Sequence, residues 1–126
     1  MDLKTAKPTV FLATSNADAA RSFYEDTLGL TLESDDPFAL VYQLSGTELR
    51  LSKVPEHTPL PFTVLDWRVA DIGAAHTTLS GKGVAFSIYD GMGQDDRGVW
   101  TTPDGGAQIL WFKDPDGNVL SVSERS

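Results

Sequence analysis

Few side chains in this 126-residue sequence could do covalent or metal chemistry, and what is missing narrows the field. There is no Cys, which removes disulfides, thiolate nucleophiles and Cys-based zinc or iron–sulfur sites together. Two histidines remain: His57, set between prolines and read as a solvated linker residue, and His76, on the flank of a helical stripe and read as surface or half-buried. No G-x-S-x-G run and no Ser-His-Asp order appears, so a hydrolase of that kind has no support. The segment from Gly91 to Gly98 is glycine-rich but carries no phosphate-cradling pattern, and Asp95 and Asp96 would repel phosphate; it reads as a mobile loop. Asp114-Pro115-Asp116-Gly117 has the residues of a tight turn without the other ligands of a calcium loop. Trp100 and Trp111 fall on predicted strands, where they could stack on a flat or cationic ligand or simply fill the core.

The charge balance excludes one class of partner. Ten Lys and Arg against 18 Asp and Glu give a net charge of −8, and nucleic-acid binding is driven largely by basic side chains displacing counterions. A hydrophobic fraction of 40% is enough to build a core, so global disorder is excluded as well. No stretch approaches the ~20 apolar residues of a membrane helix, and the N-terminus lacks the apolar run of a secretory signal. The expectation is a cytoplasmic protein without nucleic-acid or membrane partners.

The elements that must position any site come in two copies. Thr9–Asn16 (TVFLATSN) and Val64–Asp71 (VLDWRVAD) share one outline at a spacing of 55 residues, each an apolar strand ending at a helix N-cap, Asn16 or Asp71. The first helix should place Ala20, Phe23, Tyr24, Thr27 and Leu28 on one face and stop at Gly29; the second should place Ile72, Ala75 and Leu79 and end near Gly81 and Gly83. Strands are expected over roughly 30–34, 39–45 and 48–54, and then over 85–89, 98–102, 108–112 and 118–123. Gly46–Leu51 matches Gly117–Val122 at a spacing of 71, so the second copy holds an insertion of 16 residues, placed in the loop 90–97. The architecture is therefore α+β: two tandem βαβββ modules, about 8–54 and 62–124, joined by a proline-rich linker 55–61. Together they would make a single domain, a cupped eight-stranded mixed sheet with helices on its outer face and a pocket on the concave side.

The run from Asn16 to Leu30 (NADAARSFYEDTLGL) resembles the first helix of the vicinal oxygen chelate superfamily, which includes glyoxalase I, bleomycin-resistance proteins, fosfomycin-resistance enzymes and extradiol dioxygenases. Phe112–Asn118 (FKDPDGN) is similar to that family's last hairpin, and the likeness spans about residues 8–124. The fold hosts both enzymes and pure binders, so the resemblance alone fixes no activity.

Its enzymes hold a divalent metal with one ligand from the first and last strand of each module, positions that fall here on Thr9, Arg50, Val64 and Ser121. Arg50 would repel a cation and Val64 has no lone pair, so the resemblance implies a member without a metal site and without a cofactor. Residues sharing a strand face with those positions include Phe11, Ala13, Glu48, Ser52, Asp66, Arg68, Val119 and Ser123. The ligand-binding set is expected to be Phe11, Arg50, Asp66, Arg68, Trp100, Trp111 and Ser121. Asp66 and an Arg could form a structural ion pair, leaving another Arg to grip an anionic or carbonyl oxygen, while Trp67 should point the other way into the core.

The leading functional expectation is binding of a small organic molecule without catalysis, as in the bleomycin-resistance branch, by a homodimer that could exchange modules between its subunits. The alternative is a lyase, isomerase or dioxygenase-like enzyme. It would be metal-free, with Asp66 as base and Arg50 or Arg68 as oxyanion clamp, or else metal-dependent through relocated ligands such as Glu48, Asp66 and Glu124.

Overall fold

The structure is a computed structural model and describes residues 1–126. The chain divides into two compact units, Met1–Thr58 and Pro59–Ser126. Each builds one four-stranded mixed sheet and one helix, so the fold is α+β with eight strands in all. No helix is long and apolar enough to cross a membrane.

In the first unit β1 (Thr9–Thr14) leads into a helix, α1, over Ala17–Arg21, followed by β2 (Leu32–Asp35), β3 (Ala39–Leu44) and β4 (Thr47–Lys53). The sheet order is β1-β4-β3-β2, with β1 parallel to β4 and the other pairs antiparallel. Asn16 caps α1 by accepting from the Ala19 amide at 3.1 Å. The helix then widens into a π-helical turn over Ser22–Thr27 and stops at Gly29, whose φ of 75° is the left-handed conformation that a Cβ disfavours. Ala20 and Tyr24 are fully buried, and the Tyr24 ring lies 5.7 Å from that of Tyr42 on β3. One face of the sheet, with Leu12, Leu40, Tyr42, Leu49 and Leu51, is thus the core of this unit.

The second unit repeats the plan. β5 (Thr63–Arg68) enters α2 (Ile72–Gly81), and β6 (Trp100–Thr101), β7 (Ala107–Lys113) and β8 (Val119–Arg125) follow in the order β5-β8-β7-β6. Asp71 caps α2 through the Ala74 amide at 3.1 Å, the counterpart of the Asn16 bond. The Glu124 carboxylate accepts from the Ile72 amide at 2.8 Å, tying the last strand to the helix start. Trp67 stacks on Phe112 with ring centroids 6.4 Å apart, on the helix-covered face as expected, and half-buried His76 stacks on Phe86 at 5.0 Å.

Four expectations change. Residues 85–89 form no strand: the Ser87 amide bonds the Trp111 carbonyl at 2.8 Å, while the Ser87 carbonyl and the Tyr89 amide are taken by a side chain, Gln94. Of the strand expected over 98–102, only Trp100–Thr101 pairs, because Val99 bonds back to Asp95 through both its amide and its carbonyl. The loop 90–97 is not a loose flap; Gln94 and Asp95 bind it to both of its own ends. His57 is half-buried rather than solvated.

Candidate functional site

Strand register decides which side chains can work together. In the first unit Phe11 on β1 is the cross-strand partner of Arg50 on β4, and Arg50 in turn faces Val41 on β3. These three share the face opposite the leucine core, with Ala13, Ser52 and Ala39 in one neighbouring row and Thr9, Glu48 and Gln43 in the other. Phe11 is 63% exposed. Arg50 is half-buried, yet makes no hydrogen bond and no ion pair. The Asp36 carboxyl is held below its ordinary range mainly by the amides of Phe38 and Ala39, and Arg50 contributes only a weaker, longer-range attraction.

In the second unit the same register position pairs Asp66 on β5 with Ser121 on β8, and Ser121 with Trp111 on β7. The Ser121 hydroxyl donates to Asp66 Oδ1 at 2.6 Å and the Ser123 hydroxyl to Oδ2 at 2.7 Å. Arg125 stands 3.7 Å from Asp66 Oδ2, so the ion pair expected of Asp66 forms with Arg125 and not with Arg68. Both carboxylate oxygens are therefore already engaged. Arg68 lies one row along, beside Ser123, exposed and without a polar partner. At the far side of the sheet Trp111 and Trp100 meet with centroids 6.0 Å apart, and Tyr89 meets Trp111 edge-on at 5.5 Å. An open depression of about 580 Å³, lined by Thr102, Pro103, Asp104 and Arg125 among others, lies at the β6–β7 turn and collects none of the expected site residues.

Of the expected set, Phe11 and Arg50 form one cluster in the first unit. Asp66, Ser121, Trp111 and Trp100 form a connected strip in the second, with Arg68 at its edge. Sequence reading missed Arg125, Tyr89 and Gln94. Arg125 was within reach, since it continues the alternation of Ser121 and Ser123; Tyr89 and Gln94 act through a loop that has no period to read.

Thr9, Arg50, Val64 and Ser121, the positions where the superfamily's metal ligands were expected, can be set against the strand register. The residues opposite Arg50 and Ser121 are Phe11 and Asp66, two residues beyond Thr9 and Val64, and Val64 sits at an irregularity in the β5–β8 pairing and has no Cα partner. Phe11, Arg50, Asp66 and Ser121 are a poor donor set for a divalent ion. Glu124 lies on the opposite face of β8 from Ser121 and Ser123 and caps α2, so the relocated set of Glu48, Asp66 and Glu124 does not assemble. Nowhere do three or more His, Asp or Glu residues gather closely enough to hold a metal ion. The residues present do not fit the divalent metal of the superfamily's enzymes.

Comparison with known proteins agrees with this architecture. No curated protein matches the sequence. Among solved structures, the chain is similar to TnmS3, an antibiotic binding protein from Streptomyces sp. CB03234, with TM-score 0.72, 27% identity and coverage of 97% of each chain. It is also similar to a lactoylglutathione lyase from Agrobacterium tumefaciens, with TM-score 0.72 and 18% identity over 95% of this chain and 93% of that one. A glyoxalase family protein from Bacillus anthracis gives TM-score 0.73 and 16% identity over 97% and 96%. Residues 7–122, nearly the whole chain, match the family model, and the chain belongs to the Glyoxalase/Bleomycin resistance protein/Dioxygenase superfamily.

Proposed function

We propose that this chain binds a small organic molecule carrying an anionic or carbonyl oxygen, without a resident metal, and that Arg50 supplies the charged contact. The observation that carries this reading is the state of Arg50: half-buried, flanked by Phe11 and Val41, and lacking any ion pair or hydrogen bond. Withdrawing a guanidinium from water is costly unless something pairs with it. A carboxylate or polarised carbonyl on a ligand would offset that cost with charge-assisted hydrogen bonds, and an apolar part of the ligand would cover Phe11.

Asp66 argues for binding over catalysis. A general base needs a lone pair turned toward its substrate, whereas this carboxylate serves Ser121, Ser123 and Arg125. The likeness to TnmS3, itself an antibiotic binding protein, supports a binding role as well. A homodimer, whose modules could be exchanged between its subunits, and a cytoplasmic location complete the reading.

The test is a thermal-shift screen of the natively purified protein against Mn²⁺, Ni²⁺, Zn²⁺, antibiotics and small carbonyl acids, since ligands of the folded state raise the melting temperature by mass action. Organic acids should raise it in the native protein and not in the Arg50→Gln variant, while the metals leave it unchanged. One equivalent of co-purified divalent metal, whose removal by a chelator abolishes ligand binding, would overturn the proposal. So would turnover of a carbonyl acid that Asp66→Asn abolishes while leaving affinity intact.

A further inference from the structure

The aromatic residues of the second unit are held by an unusual device. Gln94 accepts from the Tyr89 amide at 2.7 Å and donates to the carbonyls of Ser87 at 2.9 Å and Gly98 at 2.8 Å. One side-chain amide thus fastens the chain on both sides of the inserted loop, using all its ordinary donor and acceptor directions but one. Ser87 is in turn bonded to the Trp111 carbonyl at 2.8 Å. Gly98, with φ of 94°, is buried where an added Cβ would meet Ile88 at 3.2 Å, so the chain passes this point in one tight path. Tyr89 precedes the loop and Trp100 follows it, and both rings converge on Trp111. No sheet ladder places Tyr89, and a single two-residue pairing places Trp100. The corner formed by the three rings is preformed by Gln94.

We propose that Gln94 is a positioning residue for a ring-recognition corner, Tyr89–Trp111–Trp100, that takes a planar aromatic ring. This rests on the reading of the chain as a binder of small organic molecules and adds the class: a molecule with a flat aromatic ring system. All three rings are half-buried, so each keeps some surface open to a ligand. An edge-on pair beside a tilted pair presents both a π face and a ring edge, which suits stacking against a flat ring and gives nothing comparable to an aliphatic one. Preformed rings bind without the entropy cost of ordering them, and that is the contribution of Gln94.

The probes are anthracene-9-carboxylate and its non-aromatic counterpart cyclohexanecarboxylate, titrated against the full chain by calorimetry. The native protein should prefer the aromatic acid and show quenched tryptophan emission on binding it. Gln94→Met keeps the length of the side chain but makes none of its three bonds. It should lose near-ultraviolet circular dichroism from the ring cluster, and the preference for the aromatic acid should fall about tenfold, with binding of cyclohexanecarboxylate unchanged. Asp96→Ala, an exposed change in the same loop, should leave both intact. If Gln94→Met does not fold, Tyr89→Leu removes the edge ring while keeping the backbone amide that Gln94 binds, and should reduce the preference in the same way. A native protein that binds the two acids equally or binds neither, or variants that retain the full preference, overturns the inference. Failure of the wider reading shows separately, as co-purified metal or as indifference to Arg50→Gln.

Discussion

Asp66 and Ser121 share a 2.6 Å hydrogen bond across the parallel strands β5 and β8, at the register position where Phe11 faces Arg50 in the first unit. The duplicated plan thus holds two different solutions in one place. The second unit carries a carboxylate bonded by two serines and paired with an arginine, while the first carries an arginine with no hydrogen bond or ion pair. A polar group satisfied inside the protein contributes to the fold; one left without a partner is free to serve a ligand.

Asp66 should therefore behave as a structural residue. Asp66→Asn removes one acceptor oxygen and the pairing with Arg125, and is expected to destabilise the protein by about 1–2 kcal/mol in urea unfolding. Ser121→Ala should cost a similar amount, and the double variant less than the sum, because the two residues share one bond. Fully additive costs would show that Asp66 is not held by Ser121.

Arg50 should behave in the opposite way. It has no partner to lose, so Arg50→Met should leave the melting temperature unchanged or raise it, as replacing an unpaired half-buried charge by an apolar side chain relieves desolvation. Affinity for a carboxylate ligand should fall roughly ten- to hundredfold. A marked drop in stability would reveal a structural role and remove the argument for a ligand contact.

The contrast between these two residues also marks how far the sequence could be read. The repeat, the two caps and the strand faces all follow from periodicity and turn chemistry, which are local, and the structure places Asn16 and Asp71 in the same role 55 residues apart. The shared faces of Phe11 with Arg50 and of Asp66 with Ser121 were likewise accessible, because alternation along a strand is strict. The pairing itself was not: that Arg50 faces Phe11 rather than Thr9, and Ser121 faces Asp66 rather than Val64, is set between strands rather than along one. The stretch 85–89 looks like a strand by composition, yet the side chain of Gln94, meeting it after four residues of glycine-rich loop, takes up two of the bonds that a ladder would make. Long-range satisfaction of polar groups leaves no periodic trace in a sequence.

The paired caps allow a test of the duplication itself. Asn16→Ala and Asp71→Ala each remove an oxygen that accepts from the third residue of its helix and should each cost about 1 kcal/mol. The π-helical continuation of α1 ties Leu28 to Phe23 and Leu30 to Tyr24, and α2 has the second anchor from Glu124. Glu124→Gln should therefore weaken α2 further in the background of Asp71→Ala, read as faster amide exchange at Ile72 and Ala74. Unchanged exchange at those amides would refute a capping role for Glu124.

A third polar network should set the pH limits of the first unit. Arg21 hydrogen-bonds both oxygens of Glu25, at 2.8 and 3.2 Å, and the hydroxyl of fully buried Tyr42 donates to Glu25 Oε2 at 2.9 Å. The Arg21 hydrogen bond holds the Glu25 carboxyl below its ordinary value of 4.5; partial burial opposes this, and the Tyr42 hydroxyl adds to the lowering. Burial and then the bond to Glu25 push the Tyr42 hydroxyl above its ordinary value of 10.0. In the first case the unfolded chain holds more protons than the folded one as pH drops below 4.5, so the contribution of Glu25 is complete above that value and is lost as pH falls. In the second the folded chain keeps its proton longer, so the contribution of Tyr42 is complete below pH 10.0 and is lost as pH rises. Urea midpoints measured across pH should fall at both ends. Glu25→Gln should flatten part of the acid limb and Tyr42→Phe the alkaline one, at the cost of lower stability near neutrality. Arg21 and Glu25 remain partly exposed, so salt should weaken the acid effect without abolishing it. Acid and alkaline limbs that match the native protein in both variants would show that this network does not govern either limit.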